Sequence, residues 1–86
     1  MSSISPDLKR RAAALKVTVR IGRNGITEPV LTEIRDQLAK NRLLKLKMNK
    51  GLIEASQRKG FWMNLAIEVS ARLVDQKGNV AVFWKG

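Results

Sequence analysis

Val17-Thr18-Val19-Arg20-Ile21-Gly22-Arg23-Asn24-Gly25-Ile26-Thr27 is the stretch on which the fold turns. Apolar residues alternate from Val17 to Ile21, as in a half-buried strand with Val17, Val19 and Ile21 on one face and Thr18 and Arg20 on the other. A four-residue loop with glycine at each end follows, and Thr27 then stands where a helix opens. Glycines allow positive φ and carry no Cβ, so backbone N–H groups in such a loop can lie close to a passing anion. Arg23 adds a fixed cation between them. A plain strand-to-helix turn uses the same residue types, so the remainder of the chain decides between the two readings.

Downstream, Thr27 is the expected N-cap, Glu28 suits the positive end of the helix dipole, and Pro29 falls in the first turn, where a missing N–H costs little. Val30, Leu31, Ile34 and Leu38 form one stripe, so the spacing predicts a helix to about Lys40, stopped at Asn41. Alternation returns from Leu43 to Asn49, with Leu44, Leu46 and Met48 on one face and Lys45 and Lys47 on the other. Lys50 to Lys59 reads as a loop. Trp62, Leu65, Ala66 and Val69 predict a helix over about Arg58 to Ser70, with Trp62 in the core. Arg72–Asp75 and Val80–Trp84 flank Gln76-Lys77-Gly78-Asn79, a hairpin pattern. Phe83 and Trp84 face opposite sides, leaving one aromatic as a base-stacking candidate.

Upstream, residues 1–4 read as a flexible leader, followed by Ser5 as N-cap, Pro6 and Asp7 in a first turn, and a helix to about Leu15. Leu8, Ala12 and Leu15 share its apolar stripe, and Lys9, Arg10 and Arg11 spread cations over its other sides. The element order is therefore α-β-α-β-α-β-β: a two-layer α/β domain over residues 5–86. Its four-stranded mixed sheet would have parallel strands joined through helices and an antiparallel hairpin at its edge.

Composition bounds the function. A chain of 86 residues forms one domain that buries roughly two-thirds of its unfolded surface. With 44% hydrophobic but only 5% aromatic residues, its core is mainly aliphatic. Seventeen Lys and Arg against seven Asp and Glu give a formal net charge of +10. That excess repels itself in a compact state, and its natural use is attraction of a polyanion, nucleic acid ahead of membrane or acidic protein. The absence of cysteine and histidine excludes disulfides, thiolate zinc sites and the usual proton shuttle. Glu54, Glu68 and Asp75 have no motif spacing that would organise them for catalysis. No apolar run approaches the ~20 residues of a membrane span, and Ser5-Pro6-Asp7 interrupts any signal-like start, so a cytoplasmic protein is expected.

The stretch from Val17 to Thr27, the helix Val30 to Leu38, the strand Leu43-Leu44-Lys45-Leu46-Lys47, and the segments Leu73-Val74-Asp75 and Gly78 to Lys85 together resemble the CRM domain (chloroplast RNA splicing and ribosome maturation). The chain is most similar to its free-standing prokaryotic form, the YhbY-like proteins. The likeness spans nearly the whole length. Trp84-Lys85 stand where the family often has Tyr-Arg, and Arg23 stands where lysine is frequent, which keeps the charge but changes donor geometry. The resemblance implies a fold similar to the C-terminal domain of bacterial translation initiation factor three. It also implies binding of structured RNA and association with the precursor of the large ribosomal subunit.

These readings converge on a basic RNA-binding protein without catalysis or cofactor, acting in ribosome biogenesis, as a monomer rather than a homo-oligomer and without a membrane partner. Like the GxxG loop of KH domains, Gly22 and Gly25 would admit a phosphate to the loop. Arg20 and Arg23 would pair with it, and Asn24 would hydrogen-bond a phosphate or sugar oxygen. Lys9, Arg10, Arg11, Lys45 and Lys47 would lengthen the track. Large-subunit ribosomal RNA or its precursor particle is the expected partner. The alternatives are a non-specific nucleic-acid binder and a module docking on acidic assembly or ribosomal proteins, whose pull-down would survive ribonuclease.

Overall fold

The computed structural model describes residues 6–86, so the leader expected over residues 1–4 and the expected N-cap Ser5 lie outside the described residues. Helix α1 is Pro6–Ala14, strand β1 Val19–Ile21, helix α2 Glu28–Asn41 and strand β2 Leu43–Met48. A short 3-10 turn at Ala55–Gln57 leads into helix α3, Arg58–Glu68, and the chain closes with β3, Arg72–Lys77, and β4, Val80–Trp84. The α-β-α-β-α-β-β order and the four-stranded mixed sheet are those expected.

The sheet runs β1-β2-β4-β3. β1 is parallel to β2, while β4 is antiparallel to both β2 and β3. Strands β1, β2 and β3 therefore all point the same way, as strands linked through helices should. The hairpin lies at one edge of the sheet as expected, with β4 paired to β2 and β3 outermost, and β1 forms the opposite edge.

Local chemistry accounts for the boundaries. The Thr27 hydroxyl accepts from Val30 N at 3.4 Å at the start of α2, satisfying one of the helix's orphan donors. The far end of α2 falls one residue beyond the expected stop: Arg42, not Asn41, takes the left-handed conformation at φ 66°, and its N–H donates to Leu38 O. α3 ends in a Schellman pattern, with Ser70 at φ 57°, Ser70 N donating to Ile67 O, and Ala71 N donating to Ala66 O.

Two apolar clusters lie on opposite faces of the sheet. The larger packs Ile34, Leu38, Trp62 and Leu65 of α2 and α3 onto Ile21, Leu44, Leu46 and Phe83. Burying each such aliphatic side chain contributes about 1.5–3 kcal/mol. Trp62 is a core residue as expected, edge-on to both Phe61 and Phe83. The smaller cluster sets Leu8 and Ala12 of α1 against Leu43, Val74 and Val82, with Trp84 packed at its side. The helices thus do not form one layer: α2 and α3 cover one face, and α1 covers part of the other.

Candidate nucleic-acid interface

The face bearing α1 also carries the lysines. Cα register sets out two rows across the sheet: Arg20, Lys47, Val80 and Lys77 form one, and Lys45, Val82 and Asp75 lie in the next. Leu43 and Val82 on this face are buried beneath α1. The part that α1 leaves uncovered is a hollow of about 570 Å³, bordered by Ala12 and Ala13 of the helix and by Arg20, Lys45 and Lys47 of the sheet.

Parallel strands end on the same side, so the turn after β1 and the loop after β2 meet there. Asn49 N donates to Ile21 O at 2.9 Å, and Met48 N donates to Asn79 O at 2.9 Å, which draws the β3–β4 turn to the same end. Arg23 shares a surface recess with Asn49, Lys50 and Gly51. Arg20 and Lys47 share a second recess with Asn49 and Lys50. Four cations from two strands and two loops thus stand side by side at one end of the sheet. Ligands of open α/β sheets sit beyond the carboxyl ends of the strands.

The glycine loop is a closed turn, with Gly25 N donating to Gly22 O at 2.9 Å. Arg23 and Asn24 at its tip are exposed. Only Gly25, at φ +69°, uses the left-handed conformation, and a Cβ built on Gly22 meets nothing within 4 Å. Neither the turn nor the packing within the chain therefore requires glycine at position 22.

The structure brings Arg20, Gly22, Arg23, Asn24, Gly25, Lys45 and Lys47 to this region. It does not bring the α1 cations into the hollow: Lys9, Arg10 and Arg11 are exposed, and Arg10 approaches Asp7 at 3.6 Å. Two residues were missed. Lys50 arrives through the parallel β1–β2 pairing and Lys77 through the hairpin register. The β-α-β order, read with the rule that parallel strands end together, signals the first.

Most of the acidic residues lie elsewhere, Asp75 being the one that lines the hollow. Glu28, Glu33, Asp36, Glu54 and Glu68, five of the seven, belong to α2, α3 and the approach to the 3-10 turn. Glu68 pairs with Arg35 at 3.7 Å and bridges the two helices. Among the described residues no group of three or more acidic side chains is placed to hold a metal ion. Among the described residues no helix is long and apolar enough to cross a membrane.

Comparison with known proteins gives one family: the CRS1 / YhbY (CRM) domain, whose model matches residues 5–85. Among solved structures, the fold is similar to a hypothetical protein of Staphylococcus aureus determined in solution and described as a candidate RNA-binding protein. The TM-score is 0.78 at 22% identity, over 93% of this chain and 81% of that one. No curated protein matches the chain at a significant level.

Proposed function

The chain belongs to the CRS1 / YhbY (CRM) domain family, a family of RNA-binding domains, and from that premise we propose that it is a non-catalytic RNA-binding protein holding backbone phosphates at the basic end of its sheet. The observation that carries this reading is the meeting of Arg20, Lys47, Lys50 and Arg23 around a turn whose first glycine has open space beside it. Guanidinium and ammonium groups capture the polyanion, and a bare Gly22 lets the turn's backbone approach a phosphate. The ladder lysines Lys45 and Lys47 continue the path across the sheet. The α1 cations strengthen the long-range field rather than the contact itself.

The carboxylates offer no competing chemistry. Glu54 precedes the 3-10 turn, Glu68 is engaged with Arg35, and Asp75 lies on β3. The large ribosomal subunit or its precursor as target, and with it a cytoplasmic location, rests on the resemblance to the free-standing prokaryotic members. Action as a monomer belongs to the same proposal.

The test is binding to a large-subunit ribosomal RNA fragment and to duplex DNA over a salt series, for wild type and Arg23→Glu. Tighter RNA binding, weakened several-fold by the substitution with folding intact, supports the clamp. Equal binding to both polymers, insensitive to the substitution, reduces the loop to a turn.

A further inference from the structure

The hollow beside α1 has room for more than a phosphate. Its volume of about 570 Å³ falls in the ~300–1,000 Å³ range of small-ligand sites. Among the cations its lining is apolar, with the half-buried Val80 and the edge of the buried Val82 from β4 and Ala13 from α1. An apolar lining gains nothing from a phosphate, but it suits the flat face of a base.

Asp75 is the second observation. Strict alternation after Leu73, which pairs with Phe83, would set Asp75 opposite Ala81 on the core face. The register slips between Leu73 and Asp75, so that Asp75 faces Val82 instead. Val74 and Asp75 consequently both lie on the α1 side, Val74 buried and Asp75 lining the hollow. Bulges that re-aim a side chain concentrate at functional sites. The carboxylate forms no ion pair among the described residues, despite Lys45 and Lys77 along the same wall. Its Oδ1 accepts from Gln76 N at 2.9 Å, which fixes its orientation. On a path for phosphates, an unpaired carboxylate is unfavourable unless it meets a donor.

We propose that this hollow seats one unstacked guanine base, read by Asp75, while the neighbouring phosphates lie on Arg20, Lys47 and Lys77. The proposal rests on the RNA-binding reading above. Guanine presents an imino N–H and an amino group side by side, matching the two oxygens of a carboxylate. Adenine and uracil each place an acceptor beside their donor, which a carboxylate repels. Single-stranded RNA supplies such bases with the edge free.

The experiment uses the full chain and single-stranded uridine octamers whose central residue is guanosine, inosine or an abasic site. Wild type should bind the guanosine octamer about tenfold tighter than the abasic one, the size of a bidentate base contact, with inosine in between. Asp75→Asn and the hollow-filling Ala13→Leu should each abolish that preference, and Asp75→Asn, which removes a negative charge from the phosphate path, should tighten abasic binding. Arg23→Glu should weaken all three octamers alike and keep their ratio. A wild-type ratio near one, or a preference that survives both Asp75→Asn and Ala13→Leu, overturns the base seat. If Arg23→Glu still weakens binding in that case, the phosphate clamp stands without the seat. An inert Arg23→Glu overturns the clamp instead. Guanosine monophosphate is the last arm: binding as tight as the octamer's would make the ligand a free nucleotide and overturn the RNA assignment of the hollow.

Discussion

Arg20 and Lys47 are direct partners across the parallel β1–β2 pair, and both border the same hollow. Like charges set opposite one another destabilise a sheet, so the fold alone gives no reason for this pairing. A polyanion lying over both does. Lys47→Gln should therefore leave stability unchanged or raise it by up to about 0.5 kcal/mol, while RNA affinity falls. Urea unfolding and a binding titration on one preparation check the two halves. A clear loss of stability would mean that the lysine stem is packing, not repelling.

The two loop glycines should respond oppositely. Gly25 sits at φ +69°, so Gly25→Ala forces a side chain into the left-handed region and costs about 1 kcal/mol. Gly22 has ordinary φ and open space around an added Cβ, so Gly22→Ala should melt at or above wild type, gaining up to about 1 kcal/mol from the less flexible unfolded chain. Its loss should appear in RNA affinity, where the added methyl holds the backbone away from phosphate. Thermal melts with binding titrations separate the variants; unaltered RNA binding by Gly22→Ala removes that glycine from the contact.

Salt gives an independent count of the contact. If Arg20, Arg23, Lys45, Lys47 and Lys50 each neutralise one phosphate of a single strand, log affinity should fall against log salt with a slope of about −3.5. Removing one of them, as in Arg23→Gln, should make the slope shallower by about 0.7. A slope near zero in wild type contradicts an electrostatic interface.

Much of this was legible along the chain, because period-two and period-3.6 patterns are local. Leu44, Leu46 and Met48 against Lys45 and Lys47 mark β2, and Leu31, Ile34 and Leu38 mark the buried face of α2. The misses are tertiary. The regular strand begins at Val19, so Val17 borders the hollow rather than the core, and Thr18 turns to α2, where its hydroxyl donates to Gln37. Lys50 and Lys77 carry no local mark, since only strand order brings them beside Arg20 and Val80. The bulge that turns Asp75 onto the α1 face leaves the Leu73-Val74-Asp75 pattern looking ordinary.

Ser70 offers a change that separates stability from binding. It occupies the left-handed position after α3 at φ 57°, with the two Schellman hydrogen bonds formed around it. Glycine is the residue that adopts this conformation without a steric penalty. The Ser70 side chain is exposed. Relief of the strained φ outweighs the greater freedom that glycine gives the unfolded chain, so Ser70→Gly should stabilise the protein by about 0.5–1 kcal/mol. For a domain of this size that is a rise of several degrees in melting temperature. Because Ser70 follows α3, on the face opposite the lysine ladder, RNA affinity and its salt slope should not change. A lower melting temperature would mean that the serine hydroxyl contributes more than the conformation costs. A changed salt slope would mean that the α3 face also meets RNA.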